Sequence, residues 1–295
     1  MSNKRKSVSL VLGSGGARGH AHIGVIKAIE DRGIEILNIA GTSMGSVVGG
    51  IYAAGELDTY VQWAQELRRN DVVKLLDFSF TRTSIFKGER IFEVLEDLIG
   101  DRNIEDLGRG FTAVATAIEE QREVWLNEGP LFRAIRASTA VPGVFSPVVI
   151  NGRTLVDGGL VNPIPIAPTL NDATDVTIAV NLNSIWESYD RPSTKMSNPQ
   201  RSDDQTYRSR ITQFVSDLLE GDGSEESAPD AAELLTKSID VMQGAIARLK
   251  LAAYSPDKVV EIPRDACTFF EFHRASEMAE LGYEKTIKAL DELGL

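Results

Sequence analysis

One stretch near the amino terminus constrains the fold of this chain more than any other. Residues 36 to 40 form a short apolar run, which is typical of a buried strand. The run stops at Gly41, and residues 46 to 54 are small and apolar, which is typical of a buried helix. Between them, Gly41-Thr-Ser43-Met-Gly45 has the pattern G-x-S-x-G. The sequence therefore predicts that Ser43 lies where a strand turns sharply into a helix.

The two glycines of this pattern indicate how the turn forms and what it could do. Gly41 and Gly45 lack Cβ atoms, so the strand and the helix can pack closely around a strained turn. The turn would push the Ser43 hydroxyl away from the backbone and direct the positive end of the helix at charge that develops nearby. This context favours a nucleophilic serine; the alternative is an ordinary strand–helix turn with a serine near the N-cap.

A glycine-rich loop, residues 13 to 19, follows the first predicted strand, residues 7 to 12. It departs from the dinucleotide-binding pattern because Arg18 takes the place of the third glycine and no acidic residue ends the second strand. No Gly-Lys-Ser/Thr follows, so it is not a P-loop. What remains is a row of backbone N–H groups that could hold an oxyanion beside Ser43. Arg18 could orient the loop, meet a phosphate or form a surface salt bridge.

The order of the elements indicates an α/β fold. Strand, glycine loop, helix (residues 20 to 32), strand, serine turn and helix make a βαβα start, which builds a parallel sheet. Asn151-Gly152 lies between two β-rich runs and predicts a hairpin that leads to Asp157. The other predicted elements are helices at 57–69, 89–99, 130–138 and 273–290, strands at 111–118, 123–126, 175–182 and 259–262, and a helix with the apolar stripe Leu235, Ile239, Met242, Ile246 and Leu249.

The region from residue 184 to residue 230 differs from the rest of this predicted single domain, residues 1 to 295. Residues 184 to 210 are polar and without period, which predicts a long mobile loop, and residues 220 to 230 form an acidic linker. Between them, residues 211 to 220 predict an amphipathic helix. This helix could be a lid, a membrane-surface anchor or a dimer contact, or it could simply pack on the core.

A nucleophilic serine needs a base, and the sequence offers few. Only three histidines occur, and Ser43, Asp157 and His273 follow the chain order of α/β-hydrolase triads. That fold places several strands before its nucleophile, however, and here there is one. Asp157 is the better candidate, because the two glycines after it allow a substrate or another backbone to approach. Partial burial would raise the pKa of its carboxyl and make it a base.

Composition and charge exclude several classes of function. The chain of 295 residues has a net charge of −12, which argues against nucleic-acid binding and against adsorption to anionic lipid by bulk charge. Its one cysteine, Cys267, cannot form an internal disulfide, and no thiolate metal site is indicated. No signal-peptide cleavage site follows the basic amino terminus, and no apolar stretch is long enough to span a bilayer. We therefore expect a cytoplasmic location.

Together, these motifs resemble those of a known family. Gly15-Gly-Ala-Arg-Gly19, Gly41-Thr-Ser-Met-Gly45 and Asp157-Gly-Gly159 are similar to the three signature blocks of the patatin-like phospholipases. The similarity is greatest to small bacterial members and to the catalytic domain of neuropathy target esterase. One departure is Ser14, where many members carry another glycine. Three further segments are similar, residues 137–147, 161–165 and 272–274.

The resemblance implies a fold and a site. The implied fold is a three-layer α/β/α arrangement with a mainly parallel central sheet and C-terminal helices. The implied site is a dyad of Ser43 as nucleophile and Asp157 as base, with the backbone N–H groups of Gly15, Gly16 and Ala17 as oxyanion hole. Residues in supporting positions are Arg18, Gly41, Gly45, Gly158 and Gly159.

The resemblance also implies an activity, the hydrolysis of fatty-acyl esters of lipids without a metal or other cofactor. The expected partner is a lipid or fatty-acyl ester substrate, and no nucleic acid is expected. Transient contact with the inner face of a membrane and a homo-oligomer are further expectations. Two alternatives stay open, namely an acyltransferase with the same dyad and a lipid-binding or regulatory protein with little turnover.

Overall fold

The computed structural model describes residues 6–68, 84–86, 89–100, 102–185, 189 and 231–295. The loop, helix and linker expected between residues 184 and 230 therefore fall almost entirely outside the described residues. Ser184 itself is not in a loop, because it is the last residue of a strand and is buried.

The described residues contain ten strands, which form one large sheet and one small pair. Strands β3 and β6 pair with each other, and the other eight form the large sheet. The ten strands are β1 (Ser7–Leu12), β2 (Glu35–Thr42), β3 (Ser84–Phe86), β4 (Gly110–Ala117), β5 (Arg122–Leu126), β6 (Gly143–Phe145), β7 (Val148–Ile150), β8 (Arg153–Asp157), β9 (Val176–Ser184) and β10 (Lys258–Pro263).

Seven α-helices are described in the same parts of the chain, together with short 3-10 turns at Gly16–His20, Gly158–Leu160 and Phe272–Arg274. The predicted helices and strands are found within these parts of the chain, with ends that differ by a few residues. The helices are α1 (Ala21–Asp31), α2 (Met44–Ala53), α3 (Leu57–Glu66), α4 (Glu89–Ile99), α5 (Leu131–Ser138), α6 (Ala231–Tyr254) and α7 (Ala275–Leu293).

The large sheet is mixed, with a parallel part and an antiparallel part. Its order is β10-β9-β1-β2-β4-β8-β7, and β5 also pairs with β4. All pairs from β10 to β4 are parallel, whereas β8 pairs antiparallel with both β4 and β7, and β5 pairs antiparallel with β4. The predicted α/β fold is confirmed, and so is the Asn-Gly hairpin, in which both turn residues have positive φ.

Apolar side chains cover both faces of this sheet. In β1, Leu10 and Leu12 belong to one buried cluster with residues of α1, α2 and α7, while Val11 points into a second cluster. That second cluster contains Ala179 of β9 and Ala247 of α6. Since alternate side chains of a strand face opposite sides, helices pack on both faces, which confirms the expected three-layer arrangement.

Helix α6 presents a different face to the sheet from the one that its apolar stripe predicts. Of that stripe only Ile239 is buried, whereas Leu235, Met242 and Leu249 are exposed. Among the residues of this helix whose burial is described, the buried polar one is Gln243. Its contacts with the glycine loop, described below, set which side of the helix faces inward. Among the described residues, no helix combines the length and the hydropathy needed to cross a bilayer.

Candidate active site

Ser43 lies in the sharp turn that the sequence predicts. Strand β2 ends at Thr42 and helix α2 begins at Met44. Ser43 has φ 55° and ψ −124°, a conformation that residues with a Cβ rarely adopt. Its backbone N–H donates to Ser138 Oγ at 3.0 Å, and its carbonyl oxygen accepts from the Ser46 hydroxyl at 2.7 Å. These two hydrogen bonds help to hold the strained backbone.

The glycines around Ser43 are required by close packing. A side chain at Gly41 would collide with the carbonyl oxygen of Gly45. A side chain at Gly45 would collide with the carbonyl oxygens of Leu12 and Gly13, where β1 passes into the glycine loop. The pattern G-x-S-x-G therefore lets the first turn of α2 lie directly against that loop.

Sheet pairing brings Asp157 to the same place. Thr42, the last residue of β2, pairs with Val114 of β4. Asp157, the last residue of β8, pairs with Ala115, the next residue of β4. The ends of β2 and β8 thus meet on one strand, and a side chain at Gly158 would collide with Val114 and Thr42. Ser43 and Asp157 come together although 113 residues of chain separate them.

The Asp157 carboxyl is buried and only half satisfied by hydrogen bonds. Its Oδ1 accepts from the backbone N–H of Gly159 at 2.6 Å, whereas its Oδ2 is buried and has no hydrogen-bond partner among the described residues. Burial raises the pKa of Asp157 to about 6, and the nearby Ser43 hydroxyl and the Gly159 N–H oppose that rise. The carboxyl can therefore take up a proton near pH 6, through an oxygen that accepts no hydrogen bond from the described backbone.

The glycine loop has two backbone donors left over. The N–H groups of Gly15 and Gly16 have no acceptor among the described residues. Gly16 has φ 55°, and a side chain there would collide with Phe269. The neighbouring N–H groups all donate to carbonyl oxygens. The pairs are Gly13 to Val180 (3.2 Å), Ser14 to Pro163 (2.8 Å) and Ala17 to Phe269 (2.9 Å).

Of the three N–H groups predicted to form the oxyanion hole, that of Ala17 already has an acceptor. This N–H donates to the carbonyl oxygen of Phe269, because the loop tightens at Gly16 into a 3-10 turn that packs against that segment. An oxygen atom that approached Ser43 would find free donors only at Gly15 and Gly16 in the described part of this loop.

Arg18 is a buried link and not a surface residue. Only 2% of its side chain is exposed, so the surface salt bridge considered for it is wrong. Its guanidinium orients the loop through four hydrogen bonds. The acceptors are the carbonyl oxygens of Arg264 and Cys267 (both 3.2 Å), Asp240 Oδ1 (3.0 Å) and Asn183 Oδ1 (3.4 Å).

The histidines do not form a triad with Asp157. Neither carboxyl oxygen of Asp157 has a histidine as hydrogen-bond partner. His20 and His22 are fully buried, and burial lowers the pKa of each to about 4, so both are neutral at pH 7. His22 Nε2 donates to the carbonyl oxygen of Gly13 at 2.8 Å, and His20 Nε2 pairs with the Tyr60 hydroxyl at 3.1 Å.

Two contributors to this site could not be deduced from the motifs alone. Ser138 of α5 accepts from the Ser43 N–H and donates to the carbonyl oxygen of Val114 at 2.6 Å, so one hydroxyl joins the serine turn to β4. Gln243 of α6 accepts from the Ser14 hydroxyl at 3.1 Å. Ser138 lies in a segment that resembles the family, but the sequence does not show that its side chain points toward the serine turn. Gln243 lies in no motif.

Other features of the described residues lie apart from this chemistry. A cavity of about 420 Å³ is lined mainly by residues 37–40 and 104–112, near the amino ends of β2 and β4, whereas Ser43 follows the carboxyl end of β2. No group of three or more His, Cys, Asp or Glu in these parts of the chain is arranged to hold a metal ion. Burial raises the pKa of the Cys267 thiol to about 12, which makes it unreactive at neutral pH.

A mixed sheet with helices on both faces and a serine turn at the end of its second strand places the chain in the α/β class. The family model described as "Patatin-like phospholipase" matches residues 10–170, just over half of the chain. The chain belongs to this family. The match contains the glycine loop, the serine turn and Asp157, and it ends before helix α6.

Curated relatives extend the similarity beyond that match. An "Uncharacterized NTE family protein" of Mycobacterium tuberculosis is 38% identical, over 96% of this chain and 91% of the relative. Two longer proteins match over a smaller part of their length. A patatin-like phospholipase domain-containing protein of Caenorhabditis elegans is 35% identical over 62% of this chain and 14% of its own length, and Lysophospholipase NTE1 of Yarrowia lipolytica is 36% identical over 61% and 13%.

Proposed function

We propose that this chain hydrolyses fatty-acyl esters of lipids, with Ser43 as nucleophile and Asp157 as the only side-chain base. The observation that carries the proposal is the Asp157 carboxyl, buried beside Ser43 with one unpartnered oxygen and a pKa raised to about 6. A general base works best when its pKa lies near the working pH. Membership of the patatin-like phospholipase family and the similarity to a fungal lysophospholipase support a lipid as the substrate.

In the first half of the proposed reaction, Asp157 Oδ2 takes the proton from the Ser43 hydroxyl. The Ser43 oxygen then attacks the ester carbonyl carbon, and the carbonyl oxygen becomes an oxyanion. The free N–H groups of Gly15 and Gly16 stabilise this charge, helped by the positive end of helix α2. When the tetrahedral intermediate collapses, the alcohol leaves with the proton from Asp157, and the acyl group stays on Ser43.

In the second half, Asp157 takes a proton from a water molecule, whose oxygen attacks the acyl-serine. The same two N–H groups hold the second oxyanion. Collapse releases the fatty acid and returns the proton to Ser43. Both halves use one carboxylate that alternates between base and acid, so no histidine has to move into the site.

The experiment that tests this proposal is labelling with a fluorophosphonate, followed by mass spectrometry of the modified peptide. We expect one label, on Ser43, that is lost in Ser43→Ala. In Asp157→Asn we expect labelling and turnover of a soluble ester to fall by about 10³-fold or more, because the base is lost while the fold is kept. Ser238→Ala is a matched control, since that serine is exposed on α6.

Three outcomes would contradict parts of the proposal. Ester turnover retained by Ser43→Ala would exclude the serine mechanism. A folded wild-type protein that neither takes the label nor cleaves esters would favour the alternative of a lipid-binding or regulatory protein. An acyl group that passes to an added alcohol faster than to water would identify an acyltransferase with the same dyad.

A further inference from the structure

Ser14 makes a side-chain contact that a glycine could not make. Its hydroxyl is buried and donates to Gln243 Oε1 at 3.1 Å. Its carbonyl oxygen accepts from Asn183 Nδ2 at 3.3 Å, and its N–H donates to Pro163. Ser14 directly precedes Gly15 and Gly16, whose N–H groups are free. The position of the free donors therefore depends on how Ser14 is held.

Gln243 also lies against the segment that follows Asp157. A side chain at Gly159 would collide with Gln243 Nε2 and Ser14 Oγ. The N–H of Gly159 is the donor to Asp157 Oδ1. One carboxamide from α6 is thus packed between the glycine loop and the turn that orients the base, and it forms a hydrogen bond with the loop.

The hydrogen bond between Ser14 and Gln243 is energetically important because the Gln243 carboxamide is buried. Gln243 is only 3% exposed, and burying an amide without a hydrogen bond is unfavourable. Its bond to Ser14 offsets part of that penalty. Stabilisation of an oxyanion needs donors within about 0.5 Å of their productive position. A loop that carries both donors and is held by a buried hydrogen bond meets that requirement better than a free loop.

We propose that Gln243 is a positioning residue for catalysis, which holds the donors of Gly15 and Gly16 in place through the Ser14 hydroxyl. The proposal rests on the proposed function. It also gives a reason for the serine at position 14, because a hydroxyl there is the partner of a glutamine supplied by α6, outside the matched residues 10–170.

The test is a double-mutant cycle with Ser14→Ala, Gln243→Met and the double variant, assayed on a soluble short-chain ester. Each single variant is expected to lower kcat about tenfold, or about 1.4 kcal/mol, with little change in KM, because the donors act on the transition state. The double variant is expected to lose the same tenfold, since both changes break one hydrogen bond. Ser238→Ala, on the exposed side of α6, is expected to match the wild type.

A second variant separates positioning from simple structural support. Gln243→Glu keeps an oxygen that accepts from Ser14. We therefore expect its kcat to be higher than that of Gln243→Met at pH values at which Asp157 is ionised. Because the new carboxyl lies near Asp157, the acid limb of kcat/KM is expected to move to higher pH. Loss of stability alone would move neither kcat at saturation nor this limb.

Several results would overturn the inference. It is wrong if the single variants keep the wild-type kcat, or if the losses multiply to about a hundredfold in the double variant. If Gln243→Met does not fold, Ser14→Ala alone decides, because it removes only the hydroxyl. A wild-type protein without esterase activity or Ser43 label would reject the proposed function and this inference together, whereas an active wild type with unaffected Ser14→Ala rejects only this inference.

Discussion

At the scale of single residues, Asp157 shows how the group proposed as the catalytic base can work against the stability of the fold. Its carboxyl is fully buried, and burial raises its pKa from 3.8 to about 6. A pKa raised by folding means that the folded state prefers the protonated form. The stability that this group contributes is therefore complete below about pH 4 and is lost as the pH rises through 6. The same ionisation would make the group the base of the proposed reaction.

Asp157→Asn is expected to remove this conflict. At pH 8 the variant should be more stable than the wild type, by roughly 1 to 3 kcal/mol, because no buried charge has to form. At pH 4 the two should be equally stable, since the wild-type carboxyl is then protonated. Urea unfolding at the two pH values measures the difference, and Asp97→Asn, exposed on α4, is the control. A variant that is less stable at pH 8 would contradict the argument.

How far the sequence predicts the site also differs from residue to residue. The positions of Ser43 in a strand–helix turn and of Asp157 at the end of a strand were predictable, because each lies in a short motif whose glycines restrict the local backbone. The use of the Ala17 N–H was not predictable, since its acceptor, Phe269, lies 252 residues away. The same holds for Gln243, whose contact with Ser14 depends on how α6 packs on the sheet.

At the scale of elements, helix α6 holds the glycine loop by a charged group as well as by Gln243. Asp240 of α6 pairs with Arg18 at 3.0 Å, and the side chains are 26% and 2% exposed. A guanidinium buried to this extent needs its counter-ion. The polar side chains of Asp240 and Gln243 thus orient this helix, which is why its inward face is not the face of the apolar stripe.

Asp240→Asn tests this link between helix and loop. The variant keeps an oxygen acceptor but leaves the Arg18 charge without its carboxylate, so we expect a loss of about 2 to 3 kcal/mol in the free energy of unfolding. Glu120→Gln is the control, because Glu120 pairs with the exposed residues Arg122 and Arg153 and its loss should change little. Chemical denaturation measures both, and equal effects of the two changes would contradict the expectation.

At the scale of the whole molecule, the order of strands and helices was predictable, but the place where β8 joins the sheet was not. The βαβα start follows from local periodicity and glycine positions. The hairpin that ends in Asp157 was also predicted locally. Its pairing with β4 beyond the end of β2 is a long-range contact that no local pattern encodes. That pairing brings the two catalytic candidates together.

Two buried histidines should determine how far the pH can fall before the whole fold loses stability. Burial lowers the pKa of His20 and His22 to about 4, below the unfolded value of 6.5. A pKa lowered by folding gives stability that is present above pH 6.5 and lost as the pH falls towards 4. Protonation of His22 at Nδ1, which is buried and has no hydrogen-bond partner among the described residues, would place a new charge away from water and from any described acceptor.

We therefore expect the free energy of unfolding to fall between pH 7 and pH 5, by about 2 kcal/mol for each histidine, as the unfolded chain takes up protons that the folded chain refuses. Asp157→Asn is the right background for the measurement, because protonation of Asp157 over the same range acts in the opposite direction. In that background, His22→Gln can still donate to the Gly13 carbonyl oxygen and should remove about half of the pH dependence. If the free energy of unfolding depends on pH as strongly in His22→Gln as in its background, other groups cause the loss of stability at low pH.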